Sequence, residues 1–172
     1  MNLQPILSNE LVTLRPLKKE DFIALYEVAS DELLWEQHPN NDRYKKDVFE
    51  DFFQTAIDSK GAFVIINTTS GKTIGSSRYY DLDLEKSTVV IGFTFIGRNY
   101  WGTNYNRYSK ELMLNHAFQF VNSVHFHVAK SNFRSQKAME KLGGKVITFI
   151  TSAKGIEGNP VYEIKKTDWE SI

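Results

Sequence analysis

TVVIGFTFIGRNYWGTNYNRYSKELMLNHAFQFV, residues 88–121, passes from a strand to a helix through a segment that belongs to neither. Its first nine residues are apolar and rich in β-branched and aromatic side chains, the composition of a buried strand. In its last third Leu114, Ala117, Phe118 and Val121 fall on one face of a helix. Between them, RNYWGTNYN (98–106) is too aromatic for an ordinary exposed turn and too polar for core. A short strand pattern at 124–128 follows. A strand, helix, strand unit over 88–128 demands a parallel, right-handed crossover. Ligands in open sheets bind outside the carboxyl ends of strands at such crossovers, and 98–106 sits at one.

The first turn of a helix leaves backbone N–H groups without partners, and the helix dipole adds positive charge there, so a pyrophosphate suits that geometry. Gly102 lets backbone approach a ligand without a side chain intervening. Asn104 and Asn106 tolerate left-handed or cap conformations. Arg98 and Arg107 would flank the site with positive charge, while Tyr100 and Trp101 pin the loop to the sheet. One glycine is far less than a phosphate-loop signature, and a plain connection with an aromatic anchor explains the same residues equally well.

Working outward, 11–15 alternates as a strand that Pro16 ends. Helical periodicity covers 18–30 and 45–59, the second carrying Val48, Phe49, Phe52, Phe53, Ala56 and Ile57. Residues 62–67 and 73–80 form a hairpin around TTSGK, and 81–87 is a polar connection. Asn132 can cap a helix ending at Leu142, with Gly143 taking the left-handed position. Strands at 145–152 and 160–166 close the chain. The order β-α-α-β-β-β-α-β-α-β-β is a mixed α/β pattern of seven strands in a single domain over 1–172, with no linker or repeat.

Composition narrows the function. With 21 Lys plus Arg against 21 Asp plus Glu, no bulk charge attracts the chain to nucleic acid or membrane. The absence of cysteine removes disulfides, thiolate nucleophiles and cysteine-rich zinc sites. No stretch has the length of a membrane span and no signal-peptide pattern opens the chain, so a cytoplasmic protein is expected. Ser70-Gly71-Lys72-Thr73 imitates the end of a phosphate loop, but the required earlier glycine falls at Ile66 and the segment joins two strands. His125 and His127 share a strand face without a third ligand, so no metal is expected.

The runs VVIGFTFIGRNYWGTNYNRYSKELMLNHAF (89–118) and VHFHVAKSNFRSQKAMEKLGG (124–144), with LVTLRPLKKEDF (11–22) before them, resemble the GNAT N-acetyltransferases, specifically their RimJ/RimL-like branch. The resemblance implies a mixed, mostly antiparallel sheet of about seven strands with helices on both faces. Its fourth and fifth strands, 88–96 and 124–128, would be parallel and splayed. It implies acetyl transfer from acetyl-CoA to a primary amine by direct attack in a ternary complex. The cofactor's pantetheine arm would lie in the gap and pair with backbone around Phe93, Thr94, Phe95 and Ile96, a form of strand addition. Its pyrophosphate would be surrounded by Trp101, Gly102, Thr103, Asn104, Tyr105 and Asn106. Asn104 departs from the glycine or alanine usual there; asparagine is the most tolerant substitute where positive φ is required.

The resemblance also implies a proton donor for the departing thiol. The tyrosine many relatives use is missing from 131–142, but Asn132-Phe133-Arg134-Ser135 matches the branch's Asn-x-x-Ser pattern. That makes Ser135 the general acid and Asn132 a cofactor-orienting residue; the alternative is a cap and its first turn. Arg134, Lys137 and Lys141 would meet phosphates or form a solvated basic face. On the acceptor side LLWEQHPNNDRY (33–44) offers Trp35 and His38 as substrate-binding residues, or is simply an aromatic-anchored loop. Glu36, His38, Asp81 and Glu85 lie in segments lining the acceptor cleft in relatives, with nothing to rank them as base. The resemblance implies a peptide or small-molecule amine as acceptor: a protein N-terminus, an amino acid, a polyamine or a drug-like amine. The rival reading is a non-catalytic CoA-binding or regulatory module. Homologues are often homodimers, although no exposed apolar stripe is evident in the sequence.

Overall fold

The structure is a computed structural model that describes residues 1–171. Eight strands form one sheet: β1 (Leu7–Ser8), β2 (Val12–Pro16), β3 (Ala62–Asn67), β4 (Thr73–Asp83), β5 (Thr88–Ile96), β6 (Ser123–His127), β7 (Lys145–Ile150) and β8 (Asn159–Lys165). Their order across the sheet is β1-β2-β3-β4-β5-β6-β8-β7. Every neighbouring pair is antiparallel except β5 and β6. The expectation of seven strands misses only β1, two residues long and without a periodic signal.

Helices α1 (Phe22–Ala29) and α2 (Lys46–Asp58) cover one face, where Leu25, Ala29, Phe49, Phe53 and Ala56 pack on Val64 and Phe95. Helix α3 (Tyr105–Ala117) lies on the other, burying Met113, Leu114 and Ala117 against Val12, Ile65, Ile91 and Val124. Helix α4 (Phe133–Lys141) and the short α5 (Lys166–Trp169) complete that side. The apolar residues at helical spacing are those that end up buried, as an amphipathic stripe should be. Arg15 grips Asp21 at 2.6 Å, tying the entry to α1 to strand β2. No helix among the described residues is long and apolar enough to cross a membrane.

Three local differences from the sequence reading matter. Strand β4 runs on through Asp83, because Asp83 pairs with Thr88 of β5 where a polar connection is expected over 81–87. Helix α3 ends at Ala117; Phe118 to Val121 continue only as turns and tuck Phe118 and Val121 into the core. Strand β7 is an edge whose Val146, Ile147 and Phe149 are exposed, although the sequence marks no exposed apolar stripe.

Candidate active site

The parallel pairing of β5 with β6 is brief: Thr88 faces Ser123, Val89 faces Val124 and Val90 faces His125. Both strands continue beyond that point without pairing. The cause is a bulge. Ser76 of β4 faces Phe95 and Arg78 faces Gly92, so β5 spends three steps where β4 spends two. The extra residue falls at Phe93 and Thr94, and Phe93 takes φ of +52°, a conformation a bulky side chain rarely adopts. A bulge bends its strand and sharpens its twist, which turns the end of β5 away from β6. Strain of this kind persists only where surrounding structure enforces it, and it concentrates at functional sites.

The resulting cleft has a volume of about 1100 Å³. Its walls include β5 from Ile91 to Ile96, β6 from Phe126 onward, the loop before α3, the start of α4 and the segment around Trp35. Of the residues singled out in the sequence, Trp35, His38, Phe93, Thr94, Phe95, Ile96, Trp101, Gly102, Thr103, Asn104, Asn106, Asn132 and Ser135 all line it. Tyr105 does not. Its ring packs edge-on against Tyr100 and its hydroxyl accepts from Asn67 at 3.0 Å, so only its backbone faces the turn.

At the head of α3 the geometry is that of an anion site. Gly102 has φ of +72° and a β-carbon placed there would meet nothing within 4 Å. The N-cap Asn104 makes no side-chain cap bond, and no acidic residue sits in the first turn; the Tyr105 N–H reaches the Thr103 hydroxyl at 3.5 Å, and the Asn106 and Arg107 amides are left for a ligand. Asn104 has φ of −82°, an ordinary right-handed value. The left-handed position is therefore at Gly102, and the departure at Asn104 needs no special conformation. Trp101 fastens the loop by donating from its indole nitrogen to the Ile96 carbonyl at 2.9 Å. The Arg134 guanidinium lies 3.4 Å above its ring, so Arg134 serves as a stacking partner more than a free cation. Arg98 is engaged with Asp31 and Arg107 with Glu111. Lys137 and Lys141 line the cleft and make no ion pair among the described residues.

Asn132 is the cap of α4: its side-chain oxygen accepts the Ser135 N–H at 3.2 Å. That occupies one of its polar atoms and orients Ser135 into the cleft. Trp35 is 2% exposed and donates to the Ala29 carbonyl at 2.8 Å, so it is an anchor whose ring edge forms wall. His38 also lines the cleft, and burial drives its pKa down to about 3, leaving a neutral imidazole.

Two residues were not found by sequence reasoning. Lys110 of α3 is 3% exposed and its ammonium donates to the hydroxyls of Ser77 on β4 and Thr94 on β5. Burial pushes its pKa down to about 7. Its place on the apolar face of α3 was the available signal. His127, at the end of β6, lines the cleft and lies 3.4 Å from the Tyr80 hydroxyl. Desolvation holds its pKa below the ordinary value, so the ring is a proton acceptor at neutral pH. The neighbouring His125 pairs instead with Glu163 on β8 at 3.5 Å, and no cluster of metal-ligand residues occurs among the described residues.

A splayed parallel pair, an open strand edge and an uncapped helix start meet in one cleft. Residues 12–145 match the acetyltransferase (GNAT) domain profile. Among solved structures, a GCN5-related N-acetyltransferase from Brucella melitensis superposes with a TM-score of 0.85 at 18% identity, covering 97% of this chain and 81% of that one. RimJ from Mycobacterium smegmatis in complex with CoA-disulfide gives 0.74 at 14% identity, over 95% and 87%. Spermidine N-acetyltransferase from Vibrio cholerae, with CoA and spermine, gives 0.73 at 15% identity, over 94% and 99%. No curated protein sequence matches the chain. The chain belongs to the GNAT acetyltransferase family. It is thus an N-acetyltransferase domain, and acetyl-CoA is the acyl donor of that family. The slot, the bare Gly102 and the uncapped α3 amides fit that donor.

Proposed function

We propose that the protein acetylates a primary amine with acetyl-CoA by direct attack in a ternary complex, as a member of the RimJ/RimL-like branch. The observation that carries this reading is the end of β5–β6 pairing at Val90 and His125 while both strands run on along a single cleft. Acetyl-CoA supplies an activated acyl group as a thioester. Backbone of Phe93 to Ile96 offers the edge on which an amide-bearing arm adds as a strand. The first-turn N–H groups after Gly102 receive the diphosphate. Trp35 and His38 form the acceptor wall.

A neutral amine forms the C–N bond as the C–S bond breaks; nitrogen sheds one proton and sulfur gains one, so the transfer consumes no net proton. In this reading Ser135 supplies the proton to sulfur, supported by its position in the cleft wall, a hydroxyl without a hydrogen bond among the described residues, and a backbone fixed by Asn132. Asn-x-x-Ser at 132–135 supports the branch assignment.

Release of free thiol from acetyl-CoA across a panel of amines tests the reading. Turnover with at least one primary amine is expected, with Ser135→Ala lowering kcat by roughly 10²-fold while CoA affinity stays within a factor of two. Tight CoA binding with no release for any amine would make the protein a binding module instead. A fully active Ser135→Ala variant would remove the acid assignment.

A further inference from the structure

Behind the acceptor wall lie two buried arginines, and two N–H-bearing nitrogens of one of them have no hydrogen-bond partner. Arg78 of β4 is 6% exposed, and its Nε and Nη2 are enclosed without any partner. Its guanidinium is held between aromatic rings, 4.2 Å from the centre of Phe93 and 5.7 Å from that of Phe52. Arg43 is 9% exposed and lies 4.2 Å from the centre of the same Phe52 ring. Neither arginine forms an ion pair among the described residues, and adjacent Asp42 makes no contact that would count as one.

The polar contact Arg43 does make is not a hydrogen bond in the neutral state of its partner. Its Nη1 is 3.3 Å from Nε2 of His38. Nδ1 of that ring accepts the backbone N–H of Asn40 at 2.9 Å, and a backbone amide can only donate. A neutral imidazole that accepts at Nδ1 carries its hydrogen on Nε2. Two N–H groups therefore face each other across 3.3 Å. Arg43 and Arg78 both lie against the Phe52 ring, Arg78 also lies against Phe93, and His38 faces Arg43. His38 and Phe93 line the cleft, with the two arginines and Phe52 behind them.

Buried guanidinium groups remain charged at neutral pH and are normally paired. Two of them near one ring, with a third N–H aimed at the first, is a costly arrangement for the isolated chain. It becomes favourable when an anion enters. Resting on the acyl-transfer reading of this cleft, we infer that the amine acceptor carries a carboxylate, which the guanidinium of Arg43, the guanidinium of Arg78 and the Nε2–H of His38 receive together. A planar carboxylate matches the guanidinium fork in two parallel hydrogen bonds. Phe93 is at once the bulged residue of β5 and the cover of Arg78, so an acceptor anchored there presents its amine at the open strand edge. The carboxylate can belong to a free amino acid or to the first residue of an acidic peptide.

Paired acceptors read this directly on the unaltered enzyme. One arm compares amino acids and ω-amino acids with their amides; the other compares tetrapeptides beginning with Asp or Glu with those beginning with Asn or Gln. Spermidine and phosphoethanolamine are added to the panel. In at least one arm kcat/KM should favour the carboxylate by about 30-fold or more, a scale set by charge-assisted bonds to two guanidiniums, and that arm identifies the source. Arg78→Gln and Arg43→Gln should each collapse the preference, with CoA affinity within about twofold as the check on folding. Equal rates for acid and amide in both arms would overturn the inference, as would a preference for spermidine or phosphoethanolamine over every carboxylate. In that case acetyl transfer itself still stands. If no amine is acetylated, the catalytic reading fails, and calorimetric titration of the CoA-loaded protein with glutamate and glutamine still decides the anion site. Heat from the acid and none from the amide supports it; no difference overturns it.

Discussion

At the scale of single residues, Gly102 concentrates the cofactor argument. Its φ of +72° and the empty space beside it explain why no side chain is present, since a β-carbon would be strained there and would stand in a ligand's path. Gly102→Asp places a carboxylate at the point proposed for the diphosphate. CoA affinity should fall by about 10²-fold or more, while the strained backbone lowers stability by only about 1 kcal/mol. Calorimetric titration and thermal unfolding of the same variant separate the two; unchanged CoA affinity would place the diphosphate elsewhere. Residues of this kind were legible in the sequence because each carries its own signal: a glycine at a strand-to-helix junction, an asparagine three positions before a serine. Arg43, Arg78 and Lys110 were not. Arginine and lysine on amphipathic elements ordinarily mark a solvated face; the apolar stripe of α3 carried a hint for Lys110, and for Arg43 and Arg78 only the fold reveals that they point inward.

At the scale of elements, the sequence announced each main helix and all but one short strand through periodicity, yet it held no sign of the bulge. Phe93 reads as one more apolar residue in a buried strand. Its left-handed backbone follows from how β5 registers against β4, which is a property of the pair. Lys110 joins the elements around that bulge, tying α3 to β4 and β5 through Ser77 and Thr94. Burial lowers its pKa from 10.5 to about 7. Between those values the unfolded chain holds a proton that the folded one has released, so stability rises with pH across that window. Below it both states are protonated and the full penalty of the buried ammonium remains. Lys110→Met lacks this dependence. The difference in unfolding free energy between the natural protein and this variant should grow in favour of the natural protein from pH 7 to 9, by at most about 1.4 kcal/mol per pH unit. A difference that stays flat would mean that the ammonium is not desolvated as the structure has it.

At the scale of the whole molecule, the sheet is divided by function. From β1 to β5 it is continuous and antiparallel, a platform gripped by α1 and α2 on one face and α3 on the other. From β6 to β7 it is a second ribbon, joined to the first by three residue pairs. The cleft is what remains where those two parts diverge, and every proposed role is arranged around it: diphosphate at the α3 end, proton donor on α4, acceptor under α2. Amide hydrogen exchange with and without CoA reads that arrangement most directly. Binding should slow exchange at residues 91–96 and at 102–107 together, with little change in the β1–β3 ribbon. Protection confined to other segments, or none at the β5 edge, would contradict a cofactor lodged between the parted strands.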